Sequence, residues 1–447
     1  MKPPSFMIKK FWRLYHFLWA YGAAVWYRFP SRKLVVIGVT GTKGKTTTVE
    51  LMAHVFASAG HRVVSSSGLW FRVAGRAERN DFKMTMPGHG FLQKLMARGV
   101  HAKCDIAILE VTSEGLVQSR HRYIDFDAAV FLGIHEEHIE RHGGFEQYRK
   151  AKELLFKALH ESSKSRKVAI INTDDAHADA FMRYCADETW RFGFHGNPIK
   201  KNMKSLKADG VQVGVTGLQF FVNGNKIISP LLGEFNVYNI LASIAAAKAL
   251  GVADEVIQNA LQTFPGIPGR MEVIEQNGVR AVVDYAHTPD SLEWVYKETR
   301  RIFNPRRMIC ILGAAGGGRD TWKRPAFGAL AAMYCDVIFL TDEDPYDEDP
   351  AAIVRDIKRG IDEFNGRKVK LSASAFNVFQ KETRLASPPE VRVVLERSQA
   401  IAQAISLARE GDVVVCTGKG GERWMVVADG KKIPWDESAL VRKLLGI

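Results

Sequence analysis

The chain has 447 residues, with 62 Lys and Arg against 49 Asp and Glu and a formal net charge of +13. That length suits two or three domains with substantial cores, and a composition of 46% hydrophobic and 25% charged residues excludes a disordered or fibrous polymer. No stripe of Arg and Lys interleaved with aromatics occurs, so the charge points to anionic small substrates or an anionic membrane surface, and no nucleic-acid partner is expected.

The five cysteines (Cys104, Cys185, Cys310, Cys335 and Cys416) are scattered and lack zinc spacing. They read as reduced thiols of a cytoplasmic protein, with no disulfide framework.

Residues 6–29 crowd Phe11, Trp12, Tyr15, Phe17, Trp19, Tyr21, Trp26 and Tyr27 behind Lys9 and Lys10. The charge-free stretch 14–27 falls short of the about 20 residues a spanning helix needs, and no small-residue cleavage site follows it. The segment reads as an aromatic helix that either packs on the protein itself or lies in a membrane interface.

The run Val35-Val36-Ile37-Gly38-Val39 leads into Thr40-Gly41-Thr42-Lys43-Gly44-Lys45-Thr46-Thr47-Thr48, and a helical pattern covers 49–56. This predicts strand, tight loop and helix, a cradle for phosphate. Gly41 and Gly44 let backbone N–H groups approach an anion and the helix amino end adds partial positive charge. Lys45 neutralises a terminal phosphate, and the Thr46 hydroxyl can meet Mg²⁺. The strict spacing is missed by one residue, because Val39 stands where the first glycine belongs. An ordinary strand–helix turn is the competing reading.

Further on, apolar runs at 105–111, 128–134 and 168–172 alternate with helical patterns such as 146–159, which implies a mostly parallel sheet covered on both faces. Glu110 ends the first of these strands on the side where the phosphate loop points, well placed to hold Mg²⁺; a solvated strand-end acid is the alternative. After 128–134 comes a loop in which His138 and His142 stand four apart among acids. A helical zinc site is the competing interpretation, but Gly143 and Gly144 argue for a loop. The segment 211–228, with Asn223-Gly224, predicts a small antiparallel insert, and a helix at 236–250 ends at Gly251. Gly266-Ile267-Pro268-Gly269 reads as a linker. A second α/β pattern then starts at strand 279–284, with further strands at 308–312 and 336–341 and a last strand at 412–417.

Several of these stretches, taken in order, resemble signatures of the Mur ligases. They are Thr40 to Thr46, Glu110-Val111-Thr112-Ser113, the histidine-rich loop, and Tyr148-Arg149-Lys150-Ala151-Lys152-Glu153-Leu154-Leu155-Phe156. Gly233 to Asn239, Gly266 to Glu272, Asp284-Tyr285-Ala286-His287-Thr288-Pro289-Asp290, Lys323-Arg324-Pro325 and Gly418-Lys419-Gly420-Gly421-Glu422 continue the series. The likeness is greatest to members that add the third amino acid to UDP-MurNAc-L-Ala-D-Glu.

The resemblance implies an α/β fold. An amino-terminal aromatic helix (1–33) precedes a central P-loop ATPase domain with a mostly parallel sheet (34–270) and a Rossmann-like carboxyl-terminal domain (271–447). It implies ATP and Mg²⁺, a nucleotide- or sugar-linked peptide acceptor, an amino acid, and a monomer. Gly41, Thr42, Lys43, Gly44, Lys45, Thr46 and Thr47 would form the ATP phosphate loop. Thr46, Glu110, His138 and a carbamylated Lys152 would hold metal, and Lys45, Lys152 and His138 would be catalytic. Asn236, Asn239, Arg270, Asp284 and His287 match positions that bind the nucleotide. Thr85, Ser113 and Arg120 match residues that grip the acceptor, and Asp344, Tyr346, Gly418 and Glu422 lie on the amino-acid side.

Departures accompany the match. The family's amino-terminal uridine-nucleotide domain is replaced by the aromatic segment, Gly133 stands for an asparagine, Glu114 for a histidine, and Gly421 for another histidine. Glu343-Asp344-Pro345-Tyr346 stands where diaminopimelate-adding members have Asp-Asn-Pro-Arg. With Asp347, Glu348 and Asp349 nearby, this predicts a preference for a distal ammonium, as in lysine or ornithine. The rival readings are a ligase for another carboxylate, of folylpolyglutamate or cyanophycin type, and a membrane-attached nucleotide-binding partner without ligase activity.

Overall fold

The structure, a computed structural model, describes residues 6–82, 84–88, 90–135, 143–195, 203–318, 320–365 and 387–447, and for 6–14 the backbone alone. The chain divides into two compact units, Met1–Pro265 and Gly266–Ile447.

The first unit is built on strands β1 (Val35–Thr40), β2 (Val63–Ser66), β3 (Trp70–Val73), β4 (Arg76–Arg79), β5 (Ile106–Glu110) and β6 (Ala128–Phe131). They continue with β7 (Val168–Asn172), β8 (Glu188–Gly193), β9 (Met203–Gly214), β10 (Gly217–Val222) and β11 (Asn225–Ser229). Among the described residues they form one 11-stranded sheet in the order β11-β10-β9-β8-β7-β6-β1-β5-β2-β3-β4. Strands β1, β5, β6 and β7 are near-continuous apolar runs because both faces are covered, as parallel strands require. β1 lies between β5 and β6, so the chain leaves it in opposite directions on its two sides. That is where a doubly wound sheet opens a crevice at the strand carboxyl ends.

The expected small antiparallel insert differs in one respect: β9 pairs parallel with β8, so the insert extends the main sheet. The opposite edge carries a second antiparallel element, β2-β3-β4.

The amino-terminal helix runs Phe6–Trp26. Ala20, Ala23 and Ala24 form its buried stripe at helical spacing, while Leu18, Trp19, Tyr21, Val25 and Trp26 are exposed. Its seat is narrow: Gly90 sits at φ +72°, and a Cβ built there would lie 2.3 Å from the Ala23 Cβ. Among the described residues no helix is long and apolar enough to cross a membrane.

The second unit holds β12 (Glu272–Gln276), β13 (Val279–Val283), β14 (Met308–Leu312), β15 (Val337–Leu340), β16 (Glu390–Val393) and β17 (Val413–Cys416), in the order β12-β13-β17-β14-β15-β16. β12 is antiparallel to β13 and the other pairings are parallel. β17 is not the last strand, as a short hairpin, β18 (Trp424–Val426) and β19 (Lys432–Pro434), follows it.

The cysteines also require a correction. Cys310 and Cys335 are joined by a disulfide across 25 residues. The chain returns through the helix Lys323–Tyr334 to begin β15 beside β14, which brings the two Cα atoms within 6.1 Å. Cys104 and Cys416 are buried free thiols, and Cys185 is exposed.

Candidate active site

The phosphate loop turns from β1 into a helix that begins at Lys45 and runs to Ser58. Gly44 is the residue before it, at φ +81°, and a Cβ there would lie 2.2 Å from Asn239 Oδ1. Only glycine suits both the dihedral and the space. Thr42 is fixed from two sides: its N–H donates to Gly133 O at 2.9 Å, and its hydroxyl accepts from His135 N at 3.0 Å and contacts Tyr148 OH at 3.1 Å. Gly133 reaches this position at φ +135°, which explains why a glycine serves here. Lys43 is exposed, and Thr47 is buried in the first turn of the helix. Gly38, one residue before the expected glycine position, belongs to packing: a Cβ there would meet Leu155 at 2.7 Å and Phe126 at 2.9 Å.

That contact draws the helix Phe145–His160 close under β1 and carries Lys152 to the loop. Lys152, only 2% exposed, donates to Gly41 O at 2.7 Å and lies over the Tyr148 ring, 4.6 Å from its centroid. Lys45 donates to the same carbonyl at 3.0 Å and to Thr42 O at 2.8 Å. Two ammonium groups thus converge on one backbone oxygen. Such a site gains from an anion, whether from a bound phosphate or from conversion of one amine to a carbamate.

On the other side of the loop, the Thr46 hydroxyl donates to Glu110 Oε2 at 2.8 Å, and Gly68 N donates to the same oxygen at 2.7 Å. A Cβ at Gly68 would lie 3.1 Å from Thr46 Oγ1 and 3.6 Å from both Glu110 Oε2 and Thr85 Oγ1. Thr46, Glu110 and Thr85 therefore lie around one glycine. Thr46 and Glu110 offer hard oxygen donors of the kind Mg²⁺ takes while keeping several waters. Among the described residues no group of three or more His, Cys, Asp or Glu is placed to hold a metal ion by itself, and His138 lies outside them.

Ser113 opens the short helix Ser113–Val117 and is buried. Arg120 donates from Nη1 to Met86 O and from Nη2 to Gln118 Oε1, which ties it to the segment that holds Thr85. Asn236 and Asn239 are buried and engaged within the fold. Asn239 Oδ1 accepts from Thr48 Oγ1 at 3.2 Å, Asn239 Nδ2 donates to Asn236 Oδ1 at 2.7 Å, and Asn236 Nδ2 to Leu232 O at 2.7 Å. In this arrangement they brace the loop helix.

In the second unit, Asp284 accepts from Met271 N and Ala286 N, both at 2.7 Å; burial pushes its carboxyl upward, against the pull of Arg270 and these amides. The Arg270 guanidinium covers the Tyr285 ring at 4.3 Å, and His287 Nδ1 lies 3.0 Å from Tyr285 O.

The acidic loop corrects the sequence-based electrostatics. Asp344 accepts from the fully buried Lys419 at 3.0 Å and from Val426 N at 2.7 Å, and Lys419 also holds Glu422 at 2.5 Å. Glu348 pairs with Arg324 at 2.7 Å and Asp349 with Arg355 at 3.2 Å, while Asp347 accepts from Asp429 N at 2.8 Å. Gly418, at φ +101°, has space for no Cβ, since one would lie 2.2 Å from Glu343 Oε2. Burial raises Glu343 to about 7, against the nearby charges of Arg397 and Lys419. The negative charge is thus largely offset in place, and what remains of the expectation is Tyr346, at φ +52°, in place of a guanidinium.

Lys419 and Arg397 are the charged groups that sequence reasoning left without a role. Arg397 pairs with Glu437 at 2.7 Å, both fully buried, and its only signal is the partner it finds 40 residues later.

Comparison with known proteins places this geometry. The Mur ligase middle domain matches residues 39–247, and the Mur ligase glutamate ligase domain matches residues 269–420. The UDP-N-acetylmuramoyl-L-alanyl-D-glutamate–2,6-diaminopimelate ligase of Thermosynechococcus vestitus is 35% identical over 430 residues, 95% of this chain and 79% of the relative. The UDP-N-acetylmuramyl-tripeptide synthetase of a Roseiflexus species is 35% identical over 444 residues, covering 95% of this chain and 81% of its own. A solved UDP-N-acetylmuramoyl-L-alanyl-D-glutamate–2,6-diaminopimelate ligase superposes with a TM-score of 0.61 at 29% identity, over 92% of this chain and 78% of that one. With both domain models matched in order and relatives of this identity spanning most of its length, the chain belongs to the Mur ligase family of ATP-dependent ligases.

Proposed function

We propose that the chain joins an amino acid to the carboxylate of a UDP-MurNAc-L-Ala-D-Glu-like acceptor, with ATP as the phosphoryl donor. The convergence of Thr46, Glu110 and Thr85 around Gly68, beside the two lysines on Gly41 O, carries this reading. An acceptor carboxylate oxygen attacks the γ-phosphorus of ATP, ADP leaves, and an acyl phosphate forms. The amine then attacks the acyl carbon, loses a proton, and expels phosphate.

Lys45 and the loop N–H groups orient and neutralise the transferring phosphoryl group, where most of the catalysis of such a step lies. Mg²⁺, held by Thr46, Glu110 and His138, would supply further charge neutralisation. Lys152 as a carbamate would add an anionic oxygen ligand where its ammonium now lies. ADP release that requires both acceptor and amino acid, and is lost in Lys45→Ala, tests the reading; release with neither present overturns it.

The incoming amino acid is a diamino acid. The name of the Thermosynechococcus vestitus relative specifies 2,6-diaminopimelate, and Tyr346 in place of a guanidinium favours lysine or ornithine, which carry no distal carboxylate.

The amino-terminal helix gives a second reading, contact with an anionic membrane surface. No Asp or Glu precedes Glu50, whereas Lys2, Lys9, Lys10, Arg13, Arg28, Arg32 and Lys33 all do, and Trp26 is 81% exposed. Exposed aromatics flanked by cations match the chemistry of a lipid interface.

A further inference from the structure

We propose that the cleft between the amino-terminal helix and residues 87–88, 90–93 and 118–122 binds the phosphate-bearing end of the acceptor, a diphosphate. This rests on the ligase reading and gives the helix a share in the acceptor site. The cleft is open to solvent and is lined by His16 and Trp19 of the helix and by Gly88, Gln93, Arg120 and Arg122. Among the described residues its lining contains no acid. Glu114, whose charge acts on Arg120, is engaged by Gln118 Nε2 at 3.3 Å.

Arg120 carries the argument. Its two terminal nitrogens donate to Met86 O and Gln118 Oε1, but Nε is buried with no hydrogen-bond partner. A Cβ at Gly88 would lie 3.8 Å from Nε, Cζ and Nη2, so a larger side chain there would pack against the guanidinium. A buried cationic donor without a partner beside a cleft is a place for an anion. Gln93 Oε1 is likewise buried without a partner, although its amide nitrogen donates to Tyr123 O at 3.1 Å, and it can accept from a sugar hydroxyl. Arg122 is exposed, and its contact with Glu161 is loose, at 3.9 Å, so its charge can turn into the cleft. The half-exposed Trp19 offers a ring face to a sugar or base.

Position completes the case. Arg120 grips Met86, the neighbour of Thr85, whose hydroxyl lies beside Gly68, as do Thr46 Oγ1 and Glu110 Oε2. An extended acceptor with its carboxylate at Thr46 and Glu110 therefore passes Thr85 and enters this cleft with its other end.

Calorimetric titration without ATP or amino acid provides the test. The probes are UDP-MurNAc-L-Ala-D-Glu, the same dipeptide-sugar on a short-prenyl diphosphate, and MurNAc-L-Ala-D-Glu with no phosphate. At least one diphosphate probe should bind about tenfold or more tightly than the phosphate-free one, and Arg122→Ala and Gly88→Leu should each abolish that difference. The probe that binds tightly identifies the source, nucleotide or lipid, and either supports the site. Equal binding of all three probes, or variants that keep the difference, overturns it. Failure of the ligase reading is separate, since it appears as binding without acceptor-dependent ADP release.

Discussion

Gly44→Ala tests how the phosphate loop is held. At φ +81° an alanine costs about 1 kcal/mol in the left-handed region. Its Cβ would also lie 2.2 Å from Asn239 Oδ1, so the amide must move and give up its bonds with Thr48 at 3.2 Å and Asn236 at 2.7 Å. Each buried bond contributes about 1 kcal/mol, which brings the total to about 3 kcal/mol. Asn239→Ala removes the same two bonds and costs about 2 kcal/mol alone. In the double variant those bonds are lost only once and the clash is gone, so the cost should be about 3 rather than about 5 kcal/mol, a coupling of about 2. Urea-dependent hydrogen exchange on the peptide covering Lys45–Ser58 reads this local free energy. Additivity within about 0.5 kcal/mol would refute the contact.

Three further outcomes are expected. Lys152→Ala should lose most ligase activity and regain part of it with added acetate, as a small carboxylate replaces the carbamate; full activity without rescue would leave the lysine a merely structural role. Glu343 is held at about 7 against an ordinary 4.5, so the folded unit binds a proton that the unfolded chain releases. Its contribution is complete below about pH 4.5 and lost as pH rises through about 7, on the order of 3 kcal/mol, and urea midpoints of Glu343→Gln should not show that fall. Full-length protein should float with anionic liposomes while a chain starting at Ser31 should not; equal flotation rules out a membrane role for the helix.

Much of the fold was legible because its cues are local. The β-branched run before Gly41, the helical pattern after it and the acid at the end of β5 all encode their own structure. What escaped depends on distant partners. Lys152 looks like a surface helix lysine until Gly38, more than a hundred positions earlier, lets its helix approach β1. The acids at 343–349 look repulsive until Lys419, Arg324 and Arg355 are placed beside them. Cys310 and Cys335 lie in unremarkable apolar runs and meet only through the parallel pairing of β14 with β15. β9 shows its hairpin with β10 in the sequence, but its parallel partner β8 is a tertiary choice.

In the proposed reaction the acceptor carboxylate is phosphorylated before the amine attacks. An acceptor carrying ¹⁸O in that carboxylate, turned over with ATP and a mixture of lysine, ornithine and meso-diaminopimelate, tests it most directly. The released phosphate should contain one ¹⁸O per amide formed, with the product mass identifying the amino acid. Phosphate free of ¹⁸O alongside amide product would rule out the acyl phosphate.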